Sequence, residues 1–322
     1  MRTQLHDLEL VYPPISNQEA EWLRKDPEVL ARLAHSNLYF IGQKPETFFA
    51  FKEQPVVEDN LINKKKIFFT YHSGSKSSTG YIDIELLLSN CIDPEKINLE
   101  IELGKKLIRI WDEDKDEVLE WFTTDKILYD KNRGATYVCG FEDFARFYIY
   151  NLHYVGISKK DNSFKRLVIK PHDKRLRILS NEHPLNSGSR ITDEIVHFFF
   201  RIKSLEIKMY LEDKDFDEIG KTELEDYIAI VADAEKAFIK ILNAKYNEVK
   251  FDNYPFSTDG LYKTSVERHS FSIDEDITFI TDTNTIRGAR NTMYSLRQCD
   301  FIAISKDDVE LIKVEGDYTK YE

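Results

Sequence analysis

Glu235 is the residue whose type and place most need explaining. It stands four residues after Val231 and three before Phe238, in a run where Leu224, Ile228, Val231, Phe238 and Leu242 recur at helical spacing, so a carboxylate falls on the apolar stripe. An acid there needs a metal, a cation or strong hydrogen bonds, because burying an unpaired charge is prohibitive. The plain structural alternative is a stripe-edge glutamate that reaches solvent or pairs with a lysine. Other sets carry less. Asp112, Asp114 and Asp116, and again Asp213, Asp215 and Asp217, resemble calcium loops, but the sixth position is Glu117 or Glu218 where a sharp turn wants Gly. The stretch SGSKSSTG at 73–80 lacks the glycine spacing of a phosphate-binding loop and reads as a hairpin turn. His153, His183 and His197, with Glu182 and Glu194, have no zinc-motif spacing.

The elements around these residues can be read from pattern. A helical segment at 17–35 is broken before Pro27, and strands are expected at Lys66 to Tyr71, Tyr81 to Leu88, Ile97 to Leu103 and Leu107 to Trp111. Phe147 to Ile157, rich in aromatic and β-branched residues, reads as one or two strands. Ser163 offers an N-cap for a helix through Arg166 that Pro171 interrupts, Ile191 to Ile202 reads as a buried strand, and a long helix is expected over Glu223 to Leu242. The order is strand, helix, strand, helix.

In that order stand Tyr154-Val155-Gly156, then Arg166, then His172, then Glu235 within AEKAFIKILNAKYN, where Glu235, Ile239, Asn243, Ala244, Tyr246 and Asn247 occupy successive positions of one signature. This arrangement resembles the GIY-YIG nuclease superfamily over roughly residues 146–252. The resemblance implies a metal-dependent endonuclease that hydrolyses DNA phosphodiester bonds, in restriction, antiphage defence or a mobile element. Glu235 would hold Mg2+ or Mn2+, Arg166 would clamp the scissile phosphate, Tyr154 would position or deprotonate the water, and His172, with an ordinary pKa of about 6.5, would assist proton transfer. Gly156 and Asn247 would be supporting, Asn247 by fixing local backbone. No Gly-Ile-Tyr stands at the usual place of the family's first motif. Tyr148 and Tyr150 lie only 6 and 4 residues before Tyr154, and Tyr137 lies 17 before it. The alternative is a module that keeps the nuclease fold and binds nucleic acid or protein without cleaving.

At 322 residues the chain suggests about two domains. With 42 % apolar and 32 % charged residues it should fold throughout. The expected architecture is α+β: a mixed N-terminal domain at 1–145, a core at 146–252 with a small antiparallel sheet flanked by helices, and a β-rich extension at 253–322. No apolar run approaches the roughly 18 residues of a membrane span, and the opening MRTQLHDLEL lacks a signal peptide's apolar region, so a cytoplasmic protein with no membrane partner is expected. Cys91, Cys139 and Cys299 have no CxxC spacing and read as reduced thiols. The net charge of −12 argues against indiscriminate binding to phosphate backbones. Residues 148–182, however, hold eight bases against three acids, a net +5, while 211–226 is strongly acidic. Lys165, Lys170 and Arg175 are therefore the expected DNA contacts, and the acidic N-terminal domain is a candidate surface for a protein partner.

Overall fold

The computed structural model describes residues 2–52, 66–89, 99–112, 117–208, 226–290 and 298–314. Cys91, the calcium-like residues Asp114, Asp116, Asp213, Asp215 and Asp217, and the acidic 211–226 segment other than Asp226 lie outside the described residues. Two units divide the chain, each discontinuous in sequence: unit 1 comprises Met1–Lys44, Ile149–Glu182 and Ile195–Tyr318, and unit 2 comprises Pro45–Tyr148, His183–Glu194 and Thr319–Glu322. This division does not follow the expected linear succession of three domains.

Unit 1 begins with β1 (Arg2–Leu10), β2 (Ile15–Ser16), α1 (Asn17–Leu23), α2 (Pro27–Leu33) and β3 (Leu38–Gln43). Ser16 and Glu19 close a reciprocal capping box on α1, and Asp26 caps α2 just before Pro27, which is why the helical segment breaks there. Unit 2 follows with β4 (Thr47–Ala50), β5 (Lys66–Ser73), β6 (Lys76–Asp83), α3 (Ile84–Leu88), β7 (Leu99–Leu103), β8 (Leu107–Asp112), β9 (Val118–Thr123), α4 (Thr124–Asn132) and β10 (Val138–Gly140). The expected strand to Leu88 stops at Asp83, whose side chain caps α3. SGSKSSTG spans the β5–β6 hairpin turn, with Gly74 at φ 58°. Unit 2 holds two antiparallel sheets, ordered β10-β6-β5-β4 and β7-β8-β9.

The chain returns to unit 1 with β11 (Ile149–Ile157), a π-helical turn at Lys165–Ile169 and α5 (Asp173–Asn181). After α6 (Ile191–Glu194), which belongs to unit 2, come β12 (Ile195–Lys208), α7 (Tyr227–Leu242), β13 (Arg268–Ile273), β14 (Thr278–Ile280), β15 (Thr285–Arg287), β16 (Phe301–Ser305) and β17 (Val309–Ile312). The expected strand from Ile191 thus starts four residues later, after a helical turn.

The expected small antiparallel sheet flanked by helices is contradicted. Among the described residues strand exceeds helix, 38 % against 27 %, and unit 1 is built on one ten-stranded mixed sheet, nearly closed like a barrel. Its path is β15-β14-β11-β3-β12-β1-β13-β16-β17, with β2 beside β12. β11, β3 and β12 do form an antiparallel triplet, but β1 pairs with β12 from Phe200 to Lys208, and β14 adds in parallel to β11. Three strands alone would leave two rows of unpaired backbone groups; the chain's first ten residues and its last third cover them. The sheet curls so that α7 lies against β11 and also against β16 and β17. Phe238 of α7 packs 5.2 Å from Phe40, which also meets Phe200 and Phe279, so one aromatic core fixes the helix over the triplet.

Candidate active site

The register of β3 on β11 sets the site. Tyr39 lies directly opposite Gly156, and Tyr154, two residues back on the same face, is its diagonal neighbour. The two rings stand 6.1 Å apart over the glycine. A Cβ at Gly156 would sit 2.6 Å from Tyr154 Cε1 and 2.7 Å from Tyr39 Oη, so the absence of a side chain makes the room both rings occupy. Asn247 holds this strand from its outer side: Val155 N–H donates to Asn247 Oδ1 at 3.0 Å, and Asn247 Nδ2 donates to the Val155 carbonyl at 2.8 Å. Asn243, left-handed at φ 50°, ends α7 and turns the chain so that Tyr246 N–H reaches the His153 carbonyl. Asn247 and Tyr246 thereby replace a neighbouring strand where β14 has stopped pairing.

Arg166 and His172 converge on Tyr39. Arg166 sits in the π-helical turn, the widened geometry often found where a side chain must be aimed at a site, and its Nε donates to Tyr39 Oη at 3.3 Å. His172 is the N-cap of α5: its Nδ1 accepts the Arg175 backbone N–H at 3.1 Å. The ring proton is thereby placed on Nε2, which donates to Tyr39 Oη at 2.9 Å. Burial, with the charges of Arg166 and Arg175, pushes the His172 pKa down to about 4. His172 is therefore neutral at pH 7, a fixed hydrogen-bond donor in place of the titrating group expected from its type. Burial also raises both phenols, for Tyr39 steeply; at Tyr154 the Glu235 charge adds to it, and the Tyr39 hydroxyl and Arg166 oppose it.

Glu235 faces this group from α7 and is felt electrostatically by Tyr39, Tyr154 and Arg166. It is half-buried, and its carboxylate has no hydrogen-bond or ion-pair partner among the described residues. Burial pushes its pKa up to about 7, against the pull of Lys236, Lys159 and Arg166. An acid poised in this way suits a hard divalent cation, which takes oxygen ligands and, in the case of Mg2+, keeps several of its waters. Among the described residues no group of three or more His, Cys, Asp or Glu side chains is arranged to hold a metal ion.

The expected DNA contacts separate. Lys165 and Lys170 remain about half exposed and share Asp161 as counter-ion, Lys165 at 2.9 Å. Arg175 points inward: Nε donates to Asn17 Oδ1 at 2.7 Å and Nη1 reaches the Leu167 and Val168 carbonyls, so it ties α5 to α1 and is a structural residue. His197 is fully buried and Glu194 receives the Leu185 and Asn186 backbone N–H groups, both structural roles. Of the upstream tyrosines considered, Tyr148 and Tyr150 are fully buried, with Tyr150 Oη accepting from Lys44, and Tyr137 is engaged with Asp130 in unit 2.

Motif spacing does not point to Tyr39, because 115 positions separate it from Tyr154 and the hairpin spacing expected is about ten. Its signal was present in the apolar run Leu38-Tyr39-Phe40-Ile41, a buried strand in all but name. No protein-family model matches the chain, and neither curated proteins nor solved structures provide a match. No helix among the described residues is long and apolar enough to cross a membrane.

Proposed function

We propose that this protein is a metal-dependent DNA endonuclease with a site of the GIY-YIG type, Tyr39 taking the place of the first-motif tyrosine. The observation that carries the reading is the convergence of Tyr39, Tyr154, Arg166, His172 and Glu235 from β3, β11, the π-helical turn, the cap of α5 and α7. Mg2+ or Mn2+ bound at Glu235 would supply Lewis-acid stabilisation of the phosphate and leaving oxygens. Arg166 adds a permanent cation at the scissile phosphate. Tyr154, the more accessible phenol, orients the attacking water; with both phenols raised by burial, the pair works by hydrogen bonding and does not hold a standing phenolate at neutral pH. Tyr39 is wholly buried and is held by the two donors, so its part is to position Tyr154 and Arg166. Lys165 and Lys170 give the DNA backbone its contact on an otherwise acidic chain.

The test is cleavage of plasmid and single-stranded DNA with Mg2+ or Mn2+. Glu235→Gln and Arg166→Ala should each lose activity on the order of a hundredfold or more, because charge stabilisation in the transition state is removed. Wild-type cleavage that survives both Glu235→Gln and a chelator would exclude this site. DNA binding without wild-type cleavage on any substrate would favour a non-catalytic module.

A further inference from the structure

The loop that follows the site residues, Asn253 to Tyr262, reads in sequence as a turn-rich aromatic connection of no assigned role. It is anchored on one acid of α7, Asp233. Tyr254 Oη donates to Asp233 at 2.7 Å and Leu261 N–H donates to the same carboxylate at 3.1 Å, so the loop is pinned near both ends. Gly260 allows this approach, since a Cβ there would lie 2.2 Å from Asp233 Oδ1. Asp259 is the residue this pinning presents.

Asp259 uses one oxygen for each of two lysines: Oδ1 meets Lys236 at 2.8 Å and Oδ2 meets Lys159 at 2.6 Å. Lys236 is 7 % exposed, and its ammonium also donates to the Ala232 carbonyl and stands 5.8 Å from the centre of the Phe251 ring. A cation that deep needs a counter-charge. The acid next to it in sequence is Glu235, and Lys236 and Lys159 are the two cations whose charge acts most on Glu235. Among the described residues Glu235 is nevertheless the acid left without an ion pair. Lysine stems are long and flexible, so the choice of partner rests on which carboxylate is placed within reach.

We propose that Asp259 is a positioning residue that keeps the Glu235 carboxylate open to a divalent cation by holding Lys159 and Lys236 away from it. This rests on Glu235 being the metal ligand. When the Asp259 charge is removed, two lysines and one carboxylate remain, and the lysines turn to Glu235. A metal ion must then displace an ammonium before it binds, and affinity falls.

The experiment measures Mn2+ binding to the full chain by electron paramagnetic resonance, with DNA absent. Wild type should bind with a component that Glu235→Gln removes. Asp259→Asn, which keeps the shape and one acceptor oxygen, should weaken that component at least tenfold, whereas Asp259→Glu should stay within about threefold of wild type. Lys159→Met, at an exposed position, should leave affinity unchanged or tighter, and combined with Asp259→Asn should recover part of the loss. A crystal structure of Asp259→Asn should show a lysine ammonium on Glu235. Undiminished binding in Asp259→Asn, a loss in Lys159→Met alone, or a Glu235 still unpaired in that crystal would overturn the inference and leave the metal reading standing. Wild-type Mn2+ binding that Glu235→Gln does not alter would overturn both.

Discussion

Two acids on α7, Asp233 and Glu235, stand two residues and about 200° of helical turn apart, and the protein treats them oppositely. Asp233, 1 % exposed, accepts three hydrogen bonds: from Tyr254 Oη, from His269 Nε2 at 2.7 Å and from the Leu261 backbone. Both of its oxygens are engaged, Oδ1 by the Leu261 N–H and Oδ2 by Tyr254 and His269. Glu235 accepts none from the described residues, and burial lifts its pKa to about 7. A buried acid that is fully bonded organises the chain around it, while one left unbonded carries the cost of its own desolvation. The same helix therefore carries one acid with a full set of partners and one without a partner among the described residues.

Substitution should separate the two. Asp233→Ala strands His269, Tyr254 and the Leu261 N–H, and should cost about 3 to 5 kcal/mol in denaturant unfolding. Glu235→Gln in the same assay should be no less stable than wild type at pH 7, while cleavage collapses. A Glu235→Gln chain destabilised as much as Asp233→Ala would erase the contrast.

Asn247→Ala probes the strand that carries Tyr154. It removes both bonds to Val155 and leaves a buried N–H and C=O unpaired, a loss of about 2 kcal/mol. Amide exchange at Val155 should quicken by more than global unfolding explains. Unchanged exchange there would mean that the strand keeps its place without Asn247.

The pH dependence is no larger. Because the Glu235 pKa is raised on folding, the folded state binds the extra proton, and stability falls as pH rises from the unfolded carboxylate range through about 7. Between pH 5 and pH 7 this amounts to about 2 kcal/mol. His172 acts in the opposite sense: with its pKa lowered to about 4, stability is lost as pH falls from about 6.5 toward 4. Glu235→Gln should remove the decline above pH 5 and leave the acid limb. A stability curve identical in the two proteins would show that the Glu235 carboxyl titrates as it does in the unfolded chain.

What was legible in the sequence was local. Glu235 could be placed by helical spacing, and Arg166, His172 and Asn247 by short motifs, because each sits a few residues from the pattern that marks it. Tyr39 was not, since its meeting with Gly156 depends on a strand pairing across a whole inserted unit. The ten-stranded sheet was missed for the same reason: nothing in Arg2–Leu10 announces a partner at Ile202 on one edge and at Ile273 on the other. Arg175 looked like a phosphate ligand because a basic stretch shows charge and hides direction; its guanidinium turns to Asn17 at the far end of unit 1's sequence.

The pairing of Gln43 with Asn151 makes β3 and β11 a hairpin whose two arms are 108 positions apart. Were the intervening chain a featureless loop, closing it would cost about 3 kcal/mol more than a four-residue turn. A folded unit in that place shortens the effective loop, so assembly of unit 2 ahead of the β3–β11 pairing would speed the step that brings Tyr39 to Tyr154. Viewed as inheritance, the turn of a hairpin is where a chain can accept new sequence while the register of its arms stays put. Unit 2 can therefore change its sheets, its charge or its length, generation upon generation, without moving Tyr39 off Gly156.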